Sequence, residues 1–150
     1  MKIKSSLKNY NVLFDTNITK FINNNFHKND IFLIDKNLKN NNLGFLKNKK
    51  IIRINPDENK KEYNYLSVII KKLIDYNFNK NNKIFSIGGG TIQDISSFIS
   101  SIIFRGVNWI YIPTTLLSQA DSCIGGKTSI NFNNYKNIVG SFYPPSKIII

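Results

Sequence analysis

Residues 83–104 read KIFSIGGGTIQDISSFISSIIF. The run 83–87 is apolar and strand-length, and its bounding by Asn81, Asn82 and glycine marks a strand buried on both faces, as in a parallel sheet. Gly88, Gly89 and Gly90 then make a sharp turn. From Thr91 onward Ile92, Ile95, Phe98, Ile99 and Ile102 recur at three- and four-residue steps, which predicts a helix over 91–104 with one apolar face, closed by Gly106. Strand, glycine turn and helix form the first half of a βαβ unit, and the flanking sequence repeats the theme.

Working outward, residues 30–34 and 50–54 are further short apolar runs bounded by Asn, Asp and Lys and read as buried strands. Between Glu62 and Tyr76 the residues Leu66, Ile69, Ile70, Leu73 and Ile74 predict a second amphipathic helix, ended by the Asn-rich stretch 77–82. Residues 109–112 give a strand with Pro113 opening a turn, and 147–150 begin one more. Ahead of these, 12–14 reads as a strand and 18–26 as a short helix, with Asn-rich loops at 23–25 and 40–42. The alternation specifies an α/β fold: a Rossmann-like, mostly parallel sheet with helices on both faces.

Glycines between a buried strand and a helix let the backbone approach a phosphate closely, and the first-turn amides and helix dipole favour its charge. Gly88, Gly89 and Gly90 are so placed, although the run is not the GxGxxG fingerprint, and a plain tight turn is the alternative. Asp94 follows on the first turn of the helix, where a carboxylate caps free amides or accepts from a ligand. Thr114 and Thr115 come at the C-terminal end of a strand, where open α/β sheets bind ligands. Asp121, Lys127, Lys136 and Asn137 lie in a stretch of little helical periodicity flanked by Gly125, Gly126 and Gly140, so charged groups can converge there on a ligand. Glu58 and Lys61, three apart at a helix start, read as a weak surface ion pair. Asp35 ends a strand, where a carboxylate can accept from ribose hydroxyls.

Composition narrows the classes. The 41% hydrophobic and 13% aromatic content of the 150 residues suits one globular domain. No apolar run approaches the roughly 18 residues of a membrane-spanning helix, and the basic N-terminus lacks the apolar core of a secretory signal; the expected compartment is the cytoplasm. The net charge of +12 raises nucleic-acid binding. Its lysines are scattered among Asn and Ile from end to end, so neither a nucleic-acid nor a membrane partner is expected. A single cysteine, Cys123, and a single histidine, His27, read as a small turn residue and a solvated surface residue, and no metal site is expected among these residues.

IPTTLLSQADSCIGGKTSIN at 112–131, followed by YKNIVGSFYPP at 135–145, resembles the 3-dehydroquinate synthase family of sugar-phosphate cyclases, and the likeness extends over most of residues 30–150. The resemblance implies that residues 1–150 form the N-terminal NAD-binding domain of a longer enzyme. A helical C-terminal domain holding a divalent metal, zinc or cobalt, would lie outside them. It implies cofactor contacts for Asp35, Glu58, Lys61, Gly88, Gly89, Gly90, Asp94, Thr114, Thr115 and Lys136. Asp121, Lys127 and Asn137 would meet substrate or the nicotinamide end. Arg105 would reach the substrate phosphate, in the family's dimers from the neighbouring subunit. The implied reaction is carbon–oxygen lysis of a seven-carbon sugar acid phosphate in aromatic amino-acid biosynthesis, by a homodimer of the full-length chain.

Gln93 stands where the family's GGGxxGD pattern has glycine, which leads us to expect a shifted backbone at the turn and leaves open a cyclase for a related sugar phosphate, of aminocyclitol or valiolone type. Related metal-dependent alcohol dehydrogenases place Lys soon after the Asp, whereas Ile95, Ser96, Ser97 and Phe98 follow here. With no ligand set for the metal and an apolar strand running to Ile150, these residues alone are expected to be inactive, and a non-catalytic nucleotide-binding remnant is the reading outside enzymes.

Overall fold

The computed structural model describes residues 1–5 and 7–150. In chain order the elements are β1 (Lys2–Ile3), β2 (Tyr10–Leu13), α1 (Ile18–Asn25), β3 (Ile31–Asp35), β4 (Lys50–Ile54), α2 (Tyr63–Asp75), β5 (Lys83–Gly88), α3 (Gly90–Ile102), β6 (Asn108–Pro113), β7 (Lys127–Phe132), β8 (Tyr135–Phe142) and β9 (Lys147–Ile149). Seven strands form one sheet in the order β1-β2-β9-β6-β5-β3-β4. Every pairing in it is parallel except β1 with β2.

Strand alternation divides the core into two layers. Ile31, Leu33, Ile84, Trp109 and Tyr111 face α2 and α3, meeting Leu66, Ile69, Leu73, Ile92, Ile95 and Ile99. The intervening Phe32, Ile34, Phe85, Ile87, Ile110 and Ile112 face the other way and pack with Phe21, Ile22, Leu43 and Leu46. Each large apolar side chain so buried stabilises the fold by roughly 1.5–3 kcal/mol. The expected Rossmann-like architecture, with helices on both faces, is therefore what the chain adopts.

Several local expectations need correction. Ile74 and Ile102, expected on the apolar faces, lie in the last turns of α2 and α3 and are exposed. Asn23 to Asn25 complete the last turn of α1 rather than forming a loop. The helix α3 stops at Ile102, and Gly106 closes a separate tight turn, Ile103–Arg105, in which Phe104 and Arg105 take left-handed φ of 48° and 59°. Pro113 does not open a turn; it ends β6 in register with Gly88.

The largest correction concerns residues 127–142, expected as a glycine-permitted loop. They form an antiparallel hairpin, β7 with β8, lying over α3. Its two-residue turn, Asn133 and Asn134, has φ of 43° and 65°, the doubly left-handed geometry that matches strand twist. The register shifts between Ile130 and Phe132, so β8 bulges opposite Asn131. Gly140 is obligatory in this hairpin, since a Cβ there would lie 2.1 Å from the Thr128 carbonyl oxygen.

Candidate functional site

The chain leaves β3 toward β4 on one side and returns through α2 to β5 on the other, so the sheet order reverses between β3 and β5. Crevices at such switch points, beyond the C-terminal ends of the strands, are where open α/β sheets take ligands. The β3/β5 register pairs Ile34 with Ile87, which sets Asp35 beside Gly88 at that rim. On the other flank Gly88 pairs with Pro113, so Thr114 and Thr115 emerge beside the glycine turn. The Thr114 amide donates to the Gly88 carbonyl at 3.1 Å, and the Tyr111 hydroxyl donates to the same oxygen at 3.0 Å. Burial raises the Tyr111 hydroxyl well above the ordinary tyrosine value, which keeps it a neutral donor there.

The three glycines have different local duties. A Cβ at Gly88 would lie 2.5 Å from Ile92 Cγ1, and one at Gly89 would lie 3.0 Å from Thr115 Cγ2. At Gly90 a Cβ would meet nothing within 4 Å. Gly90 is also the first residue of α3, and Gly89 caps it without a side chain, so the first-turn amides face an open cradle with no side chain of their own to fill it. That is a shape and polarity suited to a phosphate or pyrophosphate. Gln93 sits in regular helical register, its amide donating to the Gly89 carbonyl at 3.0 Å.

Beside the cradle lies a polar cluster drawn from four segments. Lys61, in the 3-10 turn Glu58–Lys61, is 5% exposed. Its ammonium meets Asp94 Oδ2 at 2.9 Å, Glu58 Oε1 at 3.2 Å and Asn137 Oδ1 at 2.7 Å. The expected surface ion pair is thus a buried hub, and Asp94 faces this lysine instead of capping helix amides. Asp94 Oδ1 also accepts from the Ser129 amide at 3.4 Å. Burial pushes the Asp94 carboxyl above the ordinary carboxylate value, against the pull of Lys61.

Asn137 reaches the hub because the β8 bulge holds it at φ 55°, a conformation Asn tolerates better than most residues. Its amide donates to Asn131 Oδ1 at 2.9 Å, and its Oδ1 also accepts from Ser129 Oγ at 3.0 Å. Asn131 is 4% exposed and donates in turn to the Glu58 carbonyl at 3.2 Å. Ser129 and Asn131 were not singled out from sequence. The signal that exposes them is the two-residue Asn133-Asn134 turn, which fixes the hairpin and hence their register.

Lys136 shares a depression with Glu58, Glu62 and Asn131, and Lys127 lines another with Asn137 and Ser129. Asp121 lies exposed on a π-helical turn, Ser118–Ser122, that follows Thr115. Of the candidate residues, Glu58, Lys61, Asp94 and Asn137 meet in the hub, Lys127 and Lys136 share depressions with hub residues, and two others stand apart. Asp35 uses Oδ1 to accept from the Asn37 amide at 2.8 Å and makes no contact with the Lys61 hub. Arg105 lies beyond the far end of α3, a helix about 20 Å long, and joins nothing in this cluster.

Among the described residues no group of three or more His, Cys, Asp or Glu could hold a metal ion. The residues present therefore do not fit a divalent metal. His27 is exposed, and Cys123 is buried with its thiol donating to the Gln119 carbonyl at 3.3 Å. Among the described residues no helix is long and apolar enough to cross a membrane. A surface groove of about 430 Å³ lies against the edge strand β4, lined by Arg53, Lys72 and Tyr76, and holds none of the candidate site residues.

The 3-dehydroquinate synthase of Saccharolobus solfataricus is 45% identical over 105 residues, covering 70% of this chain and 30% of that protein. The 3-dehydroquinate synthase of Pelagibacter ubique is 37% identical over 161 residues, covering 99% and 44% respectively. The chain thus spans less than half the length of these relatives. A solved structure of 2-epi-5-epi-valiolone synthase from Streptomyces hygroscopicus with NAD+ and Zn2+ bound superposes with a TM-score of 0.84 at 22% identity, over 99% of this chain and 45% of that one, which is a likeness of fold. The profile described as 3-dehydroquinate synthase N-terminal matches residues 51–150, which include the glycine turn, the Lys61 hub and the hairpin, and the chain accordingly belongs to the 3-dehydroquinate synthase family.

Proposed function

We propose that this chain is the N-terminal, NAD-binding part of a 3-dehydroquinate synthase, which within its full-length protein converts 3-deoxy-D-arabino-heptulosonate 7-phosphate to 3-dehydroquinate and phosphate. The observation that carries the reading is the open cradle at Gly90 beside the Lys61 hub, at the switch point of the sheet. Family membership and the 3-dehydroquinate synthases it resembles supply the chemistry.

In this reading the amides at Gly89 and Gly90 hold the cofactor pyrophosphate, and Asp35 accepts from the adenosine ribose. Thr114, Thr115, Glu58, Lys61, Asp94 and Lys136 line its path toward the nicotinamide end. Bound NAD supplies transient oxidation of one substrate hydroxyl, reversed later so that no net redox change results. Lys127 offers a point charge to a phosphate or carboxylate of the substrate. Asp121 and Asn137 orient hydroxyls by accepting and donating hydrogen bonds. Arg105, remote from the hub, binds the phosphate of a neighbouring subunit's substrate in a homodimer, where the guanidinium fork suits bidentate phosphate recognition. The divalent metal would be held by residues outside 1–150, and the cytoplasm is the compartment.

One observation favours a second reading. Gln93 replaces the family glycine beside the cradle, which suits a cyclase acting on a different sugar phosphate. Incubating the full-length gene product with each sugar phosphate and following phosphate release separates the two. Phosphate released from the seven-carbon acid without net NADH supports the synthase; release only from a neutral sugar phosphate supports the alternative. Steady NADH accumulation from a polyol would refute both.

A further inference from the structure

Gln93 is the fourth residue of α3, lies between the glycine turn and Asp94, and is 4% exposed. A carboxamide buried to this degree costs free energy unless both its oxygen and its nitrogen are satisfied. Both are, and by a single residue. Gln93 Nε2 donates to the Ser122 carbonyl at 2.6 Å, and Gln93 Oε1 accepts from Ser122 Oγ at 3.0 Å. The orientation of the amide is settled by chemistry, because a carbonyl oxygen can only accept.

Ser122 ends the π-helical turn Ser118–Ser122, which carries Asp121 one residue earlier. Such turns are rare and cluster at functional sites, and their wide ring needs outside support. At its start the turn is held by Thr115 Oγ1 donating to Ser118 Oγ at 2.8 Å and by Gln119 Nε2 donating to the Pro113 carbonyl at 3.2 Å. Its own closing bond runs from the Cys123 amide to the Ser118 carbonyl at 3.1 Å. At its end the Gln93 amide is the tie to α3, and it grips backbone and side chain together. A glycine at 93, as in the family pattern, provides no such tie.

We propose that Gln93 is a positioning residue: it locks the end of the π-helical turn to α3 and so fixes Asp121 relative to the Gly88–Gly90 cradle. The structural half of this stands on the clamp itself. The functional half rests on the cyclase reading, because Asp121 acts there on substrate. The clamp makes this chain's site stiffer at Asp121 than a glycine-bearing relative, and it makes the turn sensitive to the protonation state of a carboxyl introduced at 93. A carboxylate there can accept from Ser122 Oγ but opposes the Ser122 carbonyl, whereas a protonated carboxyl donates to that carbonyl as the amide does.

The test compares wild-type, Gln93→Leu and Gln93→Glu full-length protein by amide hydrogen exchange, corrected for intrinsic rates, and by steady-state kinetics with the sugar phosphate that the wild type turns over. In Gln93→Leu, exchange at 118–124 rises about tenfold or more while β5 and β6 stay protected, the scale expected for losing buried hydrogen bonds. In Gln93→Glu the same segment is protected at acidic pH and loosens as pH rises, and kcat/KM for the sugar phosphate follows it. NAD affinity measured by titration calorimetry stays within about twofold in both variants, since the cradle amides are untouched. Unchanged exchange at 118–124, or loosening without loss of kcat/KM, overturns the proposal. If the wild type cyclises no sugar phosphate, the proposed reaction falls, and the exchange pattern alone then decides whether Gln93 holds the turn.

Discussion

Lys61 Nζ and Asp94 Oδ2 stand 2.9 Å apart, tying the 3-10 turn before α2 to the first turns of α3. The lysine side chain is 6% exposed, and its three acceptors, Glu58, Asp94 and Asn137, match the three donors of an ammonium. Asp94 nonetheless has a raised carboxyl pKa: loss of hydration outweighs the attraction of the lysine and the Ser129 amide. The pair is therefore a geometrical device whose net electrostatic stabilisation is small, as buried ion pairs often are. Removing one partner is a different matter.

Replacing Lys61 with Met keeps the aliphatic stem and removes the ammonium from Asp94 and Asn137. Breaking a buried pair costs about 3–5 kcal/mol when the survivor stays dry. Asp94 retains 22% side-chain exposure and gains water, so we expect about 2 kcal/mol near neutral pH. The double variant Lys61→Met with Asp94→Asn should recover part of that loss. Urea unfolding of the four-member cycle reads the coupling, and strictly additive losses would show that the two groups do not interact.

The raised pKa of Asp94 also fixes a pH dependence. The folded protein holds this proton more tightly than the unfolded chain does. The stabilising contribution is thus fully present below the unfolded carboxyl value, about 4, and is lost as pH rises through the folded value. Asp94→Asn removes the titration. The stability of wild type relative to Asp94→Asn should decline as pH is raised from about 3.5 and then level off. Thermal unfolding in matched buffers checks it; a relative stability that climbs with pH would contradict the assignment.

Gly88 and Gly90 separate folding from binding. Gly88→Ala drives a methyl to 2.5 Å from Ile92 Cγ1 and should cost about 1–3 kcal/mol through overpacking. Gly90→Ala meets open space in a helical residue, so the fold should be unharmed or gain about 0.5 kcal/mol from lost unfolded-state freedom. The same methyl projects into the proposed cofactor cradle. A Gly90→Ala variant with unaltered melting temperature and NAD affinity weakened at least about tenfold, by calorimetry, is the expected result; undiminished affinity would remove the cradle from the proposed site.

The sheet was legible because buried parallel strands announce themselves as unbroken apolar runs, as at residues 31–34, 84–87 and 109–112. The hairpin was not. Of the eight residues of β8, none is buried and only Val139 and Ser141 are half-buried, so no alternating apolar pattern exists to read. Its one local sign was the Asn133-Asn134 turn. The candidate site was proposed as a set of residue types from a family resemblance, whereas its geometry depends on contacts such as Lys61 to Asn137, 76 residues apart, which no local pattern encodes. Gln93 reverses the case: sequence marked it as a departure, and only the fold revealed what its amide holds.

Lys80 and the turn before β6 carry the last expectation. Phe104, Arg105 and Gly106 take successive φ of 48°, 59° and 103°, a run that costs non-glycine residues roughly 1 kcal/mol or more each. Their carbonyls converge on one ammonium: Lys80 Nζ donates to Phe104 O at 3.0 Å and, closely, to Gly106 O, with Arg105 O at 3.5 Å. Lys80→Met should therefore destabilise the protein by about 1 kcal/mol, modest because the site is exposed. Adding Phe104→Gly, which relieves the left-handed strain, should restore most of it. If Arg105 acts on a neighbouring subunit's phosphate, Lys80→Met also raises KM for the sugar phosphate while NAD affinity holds, because the turn that presents the guanidinium has loosened. Unfolding curves for the three proteins and KM for the full-length variants measure both effects. A stability loss that Phe104→Gly fails to rescue would show that Lys80 stabilises something other than this turn.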